Sequence, residues 1–170
     1  MKQNDATRKL VFAGLLTAVA VAGSLLSVPV AGSKCAPVQH MVNILAAVFL
    51  GPWWGLGIAF SASLLRNLLG LGSLMAFPGS MAGALCCGLA YRGTRKLSAA
   101  CIFETAGTSV LGGTLAWPVA KFLMGAEPAG LLVYIVPFFI STAAGSILAY
   151  GMITGLSRGR ILERFMRVRL

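Results

Sequence analysis

The sequence predicts an all-α integral membrane protein, a bundle of six transmembrane helices with both termini in the cytoplasm. Of its 170 residues, 58% are hydrophobic and only 11% are charged, and the mean hydropathy is +0.86. A water-soluble domain of this composition would leave much apolar surface exposed, so lipid is the more suitable solvent. One crossing takes about 20 residues, so the chain has room for five or six spans and none for a separate soluble domain.

Apolar runs separated by glycine, proline and charged residues define the six helices. The predicted ranges are 10–28, 37–51, 52–69, 78–91, 98–117 and 131–152, within a single membrane domain that covers 1–170 and ends in a basic cytoplasmic tail at 157–170. The run from 39 to 69 is too long for one crossing, and Gly51 and Pro52 in its middle combine a helix stop with a helix start. The first run is interpreted as an uncleaved helix, with a signal peptide as the alternative.

The basic residues predict the orientation of the bundle. Eleven of the 14 lysines and arginines precede the first predicted helix or follow the fourth or the sixth. They are Lys2, Arg8, Lys9, Arg92, Arg95, Lys96, Arg158, Arg160, Arg164, Arg167 and Arg169. The positive-inside rule places these connections in the cytoplasm and the loops near 29–36, 70–77 and 121–130 outside. The net charge of +10 is therefore a topology signal, and we predict no nucleic-acid partner.

Polar residues are concentrated at the predicted external start of the second helix, in the segment Lys-Cys-Ala-Pro-Val-Gln-His-Met-Val-Asn that begins at Lys34. Gln39 and Asn43 are four residues apart, and His40 and Asn43 are three apart, so the three side chains can share one helix face. Lipid cannot satisfy their hydrogen bonds, so such residues face a cavity or another helix. We expect a ligand cavity here, with helix packing and capping as the alternative.

Other candidate ligand contacts lie near the same predicted end. Arg66 either extends to the lipid headgroups or points into the pocket, and Trp117 and Tyr134 either stack on a flat heterocycle or anchor in the membrane interface. The predicted substrate-binding residues are Lys34, Gln39, His40, Asn43, Arg66, Asn67, Phe77, Trp117 and Tyr134, covered by the loops that carry Lys34, Phe77 and Lys121.

The chain lacks the usual signatures of an enzyme. It has no Walker A motif and no Gly-x-Ser-x-Gly, and it contains four acidic residues and one histidine. The four cysteines have no metal-binding spacing, so we predict no metal and no cofactor; a membrane enzyme that uses Cys86 and Cys87 is an alternative. Glu104, the only acidic residue in a predicted span, differs from Arg66 by about 12 Å in depth, and is expected to pair with Arg92 or Arg95.

Gly14, Ala18 and Ala22 recur every four residues and form a stripe of small side chains on the first helix. Such a stripe lets another helix backbone approach closely. A separate partner helix and packing inside the bundle both account for it.

Four segments together resemble one protein family. They are the segment from Lys34 to Asn43, Leu-Gly-Pro-Trp, Leu-Leu-Arg-Asn-Leu-Leu-Gly and Ala-Phe-Pro-Gly-Ser-Met, and they are similar to ThiW, an S component of energy-coupling factor (ECF) transporters. The similarity covers nearly the whole chain. It implies a six-helix S-component fold in the plasma membrane that captures a thiamine precursor, hydroxyethylthiazole, from outside.

The resemblance also implies partners: a transmembrane T component that contacts Gly14, Ala18 and Ala22, and two cytoplasmic ATPases. The missing Walker A motif is consistent with this arrangement, because the partners would supply the energy. A self-contained secondary transporter, or a membrane scaffold that needs no ATPase, is the alternative from another class.

The topology prediction can be checked by single-cysteine labelling in a variant without the four native cysteines. Lys34→Cys is expected to react with a membrane-impermeant thiol reagent in intact cells, and Arg95→Cys to stay unlabelled, because the positive-inside rule places Arg95 in the cytoplasm. The reverse labelling pattern would contradict the topology.

Overall fold

The computed structural model describes residues 2–30 and 33–158. They form six helices and one short β-hairpin, joined by turns and loops. The helices are α1 Lys2–Gly23, α2 Pro37–Phe49, α3 Pro52–Leu68, α4 Ala76–Thr94, α5 from Leu97 to Leu123, and α6 Ile135–Arg158. Strands β1 Val28–Val30 and β2 Ser33–Cys35 pair antiparallel, with Val28 opposite Cys35. From residue 159 onward, the predicted basic tail lies outside the described residues.

The number and order of helices agree with the sequence prediction, but several bounds differ. The helix α1 begins before residue 10 and ends at Gly23, because a tighter 3₁₀ turn, Ser24–Leu26, leads into the hairpin. The predicted break in the long run is confirmed, since Gly51 has φ +92° and Pro52 begins α3. A positive φ of this size favours glycine, and proline suits the first helical turn.

The helix α5 continues beyond its predicted end at residue 117. It consists of Leu97–Ala106, a π-helical segment Gly107–Gly112, the segment Gly113–Pro118 and a second π-helical segment Val119–Leu123. Proline lacks an N–H and usually interrupts an α-helix. Here the widened turn follows Pro118 and the helix continues, so the proline marks a change of helix type and not a terminus.

The exterior of the bundle is apolar, and polar side chains are buried among apolar ones inside it, which differs from the usual distribution in a soluble protein. Large exposed apolar residues lie on five of the helices and include Leu10, Leu15, Trp53, Phe60, Leu68, Leu89, Ile102, Phe122, Val136 and Ile147. Buried polar residues include Gln39, His40, Asn43, Arg66, Ser80, Glu104 and Thr108. An apolar exterior, with the polar side chains turned inward, suits a bundle that is surrounded by lipid.

The short helix α2 is the centre of the bundle. It packs against all five other helices, and none of its residues is exposed. The neighbouring helices approach one another closely at glycines: a Cβ on Gly88 would lie 2.5 Å from Pro52 Cα, and a Cβ on Gly112 would lie 2.6 Å from Gly79 Cα. Small residues permit such backbone contact between helices.

Two segments are long and apolar enough to cross a membrane by length and composition alone, Asp5–Leu26 and Ile135–Ser157. Among the shorter helices, Pro37–Phe49 is apolar but has only 13 residues. The six-span topology therefore stays a prediction.

Candidate ligand-binding cavity

A small polar cavity lies at one end of the bundle, called here the hairpin end because the β1–β2 hairpin lies there. Its volume is about 30 Å³. The lining residues are Ser33, Lys34, Ala36, Gln39, His40, Arg66, Ser73, Ala76, Gly79, Ser80, Thr108, Phe138 and Ser141. Of the predicted substrate-binding residues, four are in this lining: Lys34, Gln39, His40 and Arg66.

The first turn of α2 faces the cavity because the preceding strand is fastened to α6. The backbone N–H of Ala36 donates to Ser141 Oγ at 2.8 Å, and Cys35 Sγ donates to the Pro137 carbonyl at 3.2 Å. Gly145 of α6 permits the close approach, since a Cβ there would lie 2.7 Å from His40 Cβ. These contacts place Gln39 and His40 at the cavity wall.

Arg66 is a nearly completely buried cation beside Gln39. Its side chain is 2% exposed, and its Nη1 donates to Gln39 Oε1 over a long 3.5 Å. Within the described residues, Arg66 Nε has no hydrogen-bond partner. Of the two possibilities open from the sequence, the structure favours the pocket over the lipid headgroups.

The carboxylate of Glu104 is fully buried and connects α5 to α2. Its Oε1 lies 2.9 Å from His40 Nδ1, and it accepts hydrogen bonds from Asn43 Nδ2 at 3.0 Å and Thr108 Oγ1 at 3.3 Å. Which atom donates between His40 and Glu104 depends on the tautomer of the histidine ring.

The prediction that Glu104 pairs with Arg92 or Arg95 is therefore wrong. Seven residues into α5, Glu104 lies about 10 Å from the helix start, and its side chain points into the bundle instead of along the surface. Gly83 of α4 leaves the room it needs, because a Cβ there would lie 2.7 Å from Glu104 Oε1. Arg92 and Arg95 are exposed at the opposite end.

Asn43 lies beside the cavity lining and not in it. Its Nδ2 also donates to the Ser80 carbonyl at 3.1 Å, and its Oδ1 accepts from Gln39 Nε2 at 3.3 Å. Asn43 thus connects the cavity residue Gln39 to the buried Glu104, and it holds α2 against α4.

Asn67 and Phe77 occupy positions outside the lining. Asn67 Nδ2 donates to the carbonyls of Ser63 at 2.8 Å and Ser73 at 3.0 Å, which ties the segment after α3 to that helix. Phe77 packs against Phe60 with ring centroids 5.7 Å apart. Their proposed contact with a ligand stays a prediction.

Trp117 and Tyr134 belong to an apolar cluster that adjoins the cavity. The cluster also contains Met75 and Phe138, and the rings of Tyr134 and Phe138 are 6.5 Å apart. Lys121 Nζ lies 5.1 Å from the centre of the Trp117 ring, within range of a cation–π interaction. Only Phe138 of this group lines the cavity.

Several lining residues have no distinctive signal in the sequence. Thr108, Phe138 and Ser141 are hydroxyl or aromatic residues within apolar runs, and such residues occur in any membrane helix. Ser80 belongs to the segment Ala-Phe-Pro-Gly-Ser-Met, which was noticed for its resemblance to a family and not for a binding role.

The loops at the hairpin end meet above the cavity. Lys34 Nζ donates to the carbonyls of Leu71 at 3.3 Å and Gly70 at 3.5 Å, so the hairpin contacts the segment between α3 and α4. Both hydrogen bonds are long and exposed. The contact between the hairpin and the segment between α3 and α4, which together cover the cavity, is therefore weak.

The stripe of small residues on α1 lies on the outside of the bundle. Gly14, Ala18 and Ala22 are exposed and line a groove of about 910 Å³ between α1 and α3. A Cβ on Gly14, or on Gly57 across the groove, would have no neighbour within 4 Å. Packing inside the bundle therefore does not account for the stripe.

No group of three or more potential metal-ligating side chains occurs within the described residues. Cys35, Cys86, Cys87 and Cys101 are all free thiols. Cys87 is buried, with Sγ 3.4 Å from the Ala84 carbonyl, a contact typical of a packed cysteine.

The buried cluster around Glu104 makes a prediction about stability. Glu104→Ala is expected to lower the free energy of unfolding by about 2–5 kcal/mol, since it leaves His40 and Asn43 buried without their partner. Glu127→Ala, at an exposed position, is the matched control and should change stability little. Thermal unfolding of both variants in detergent measures the difference, and equal midpoints would contradict a stabilising role of the cluster.

Comparison with known proteins identifies the family to which this chain belongs. A search of curated proteins found no match. The family model described as thiamine-precursor transporter protein (ThiW) matches residues 10–159, which include every cavity residue, five complete helices and α1 from residue 10 onward. The chain therefore belongs to the ThiW family of thiamine-precursor transporters, which are membrane proteins.

Proposed function

We propose that this protein is the substrate-capture subunit of an ECF-type importer and binds hydroxyethylthiazole or a close relative. It spans the plasma membrane six times, with the hairpin end outside and both ends of this chain in the cytoplasm. The main support is a polar cavity inside a helical bundle with an apolar exterior, in a member of a thiamine-precursor transporter family. We propose no catalysis, because transport requires only binding and release.

The cavity lining is suited to a small heterocycle. Ligand sites combine a few placed polar groups with an apolar or aromatic wall. Gln39, His40 and Ser80 can exchange hydrogen bonds with a ring nitrogen or a hydroxyl group, and Phe138 supplies an aromatic surface.

The ligand-bound form must be more open than the conformation described here. A cavity of about 30 Å³ holds a water molecule but not a substituted thiazole ring. We propose that the hairpin separates from the segment that follows α3, since among the described residues two long, exposed hydrogen bonds, from Lys34 to Gly70 and Leu71, connect them. The helices beneath need not repack.

The groove on α1 and α3 is the proposed binding surface for the T component. Its small residues, Gly14, Ala18 and Ala22, allow a partner helix to approach the α1 backbone, and Trp53 and Trp54 form part of the wall near one end. The groove opens sideways into the membrane, away from the cavity, so ligand and partner can bind at the same time. Two cytoplasmic ATPases would complete the transporter.

A self-contained secondary transporter is the second candidate. Ionisable residues buried inside a membrane bundle often carry protons, and the contact between Glu104 and His40 lies beside the cavity. This reading requires uptake that depends on the proton gradient and not on partner ATPases. A scaffold has less support, because it does not need a cavity.

Ligand binding is tested by Gln39→Ala. Loss of one hydrogen bond should cost about 0.5–1.5 kcal/mol, which corresponds to a severalfold to roughly tenfold rise in Kd for hydroxyethylthiazole. Ser157→Ala, exposed at the other end, serves as the control. Isothermal titration calorimetry on detergent-purified protein measures both. An unchanged Kd for Gln39→Ala would remove this residue from the site.

Partner binding is tested by Ala18→Leu, with Ala106→Leu, an exposed alanine on α5, as the matched control. The larger side chain at position 18 should hold the partner helix away from α1 and reduce co-purification with the T component and the ATPases by about tenfold or more. Ligand affinity should not change. Undiminished co-purification would contradict this surface, and uptake by the protein without any ATPase would support the secondary transporter.

A further inference from the structure

The buried positive charge of Arg66 has no counter-ion among the described residues, and a neutral ligand would not supply one. A buried cation is costly unless it is paired, yet the guanidinium of Arg66 has no carboxylate within ion-pair distance among the described residues. Its five N–H donors have one long hydrogen bond, to Gln39, and its buried Nε has none. The cavity that Arg66 lines is the place where a counter-charge could bind.

The charges around the cavity leave a positive excess. Arg66 and Lys34 contribute two positive charges to the lining. The Glu104–His40 pair contributes at most one negative charge. The sum is therefore at least +1.

The helix ends add to this positive field. The cavity is lined by first-turn residues of α2, α4 and α6: Gln39 and His40 in α2, Ala76 and Gly79 in α4, and Phe138 in α6. The amino-terminal end of a helix carries a partial positive charge and favours anions. Three such ends therefore surround the same small volume as Arg66.

We propose that the cavity selects a thiazole that carries an anionic substituent, a phosphate or a carboxylate, over the neutral alcohol. The anion binds to Arg66, with Lys34 at the cavity mouth as a second cation, and the ring lies toward Phe138. This inference rests on the proposed function, because it takes the cavity as the ligand site and the thiazole as its class of ligand.

A purely structural role for Arg66 is the competing explanation. A chain of hydrogen bonds runs from Arg66 to Gln39, from Gln39 to Asn43 and from Asn43 to Glu104. Two amide groups separate the carboxylate of Glu104 from the guanidinium of Arg66, so Glu104 compensates that charge only from a distance. The same carboxylate oxygen also contacts His40 and Thr108. A structural arginine would stabilise the fold but would give no preference for anionic ligands.

The test compares three ligands with the same ring by calorimetry on detergent-purified wild-type protein: hydroxyethylthiazole, its phosphate ester, and the thiazole with acetate in place of the hydroxyethyl group. At least one anionic ligand is expected to bind about tenfold or more tightly than the neutral alcohol, the size of one strong charge-assisted hydrogen bond. The two anions distinguish phosphate from carboxylate. Inorganic phosphate alone, which lacks the ring, should bind more weakly than the ester.

Variants at position 66 test whether the preference for anionic ligands depends on the guanidinium of Arg66. Arg66→Gln should abolish the anion preference, Arg66→Lys should retain part of it, and Arg92→Gln, an exposed arginine at the opposite end, should leave it unchanged. If Arg66→Gln does not fold, the wild-type ratio and the Arg66→Lys ratio still decide the question.

Three results would overturn the inference: equal binding of neutral and anionic thiazoles to the wild type, an anion preference that survives Arg66→Gln, or inorganic phosphate binding as tightly as the ester. Tight binding of the neutral alcohol without a preference would overturn only this inference and leave the proposed function intact. Failure of every thiazole to bind the wild type would overturn both.

Discussion

The buried carboxylate of Glu104 is the interaction on which the rest of the interior depends. Through Oε1 it joins α5 to His40 and Asn43 of the central helix, and Asn43 continues the network to α4 through the Ser80 carbonyl. Gln39 extends it to Arg66 of α3. These groups are buried and have few other partners, so the network holds four helices together.

The position of the central helix among the other five helices is consistent with its short length. A helix that is surrounded by five others has no lipid contact and need not match the thickness of the membrane. The helix α2 has 13 residues, and the space above its first turn is taken by the hairpin and the cavity. Backbone contacts at Gly79, Gly88 and Gly112 bring the surrounding helices close enough for their short polar side chains to reach one another.

The molecule separates its two candidate interaction sites in space. The cavity lies at the hairpin end and is lined mostly by polar residues, and the groove that contains Gly14 and Ala18 lies between α1 and α3 and is lined mostly by apolar residues. In the proposed transporter the first would receive a ligand from water and the second a helix from within the membrane. The central helix α2 packs against both α1 and the cavity-lining helices.

The sequence alone determined the features that follow from local chemistry: the lipid environment from composition, the number and order of helices from apolar runs, the break at Gly51 from glycine and proline, and the polar face of α2 from helical spacing. It also indicated the family. It did not determine the position of Glu104, which meets His40 across 64 residues of sequence. The depth of Glu104 along α5 did not predict its partner, because its position on the helix circumference directs the side chain into the bundle. The cavity wall depends on Thr108 and Ser141, hydroxyl residues in apolar runs that only the packing of α5 and α6 against α2 brings to one place.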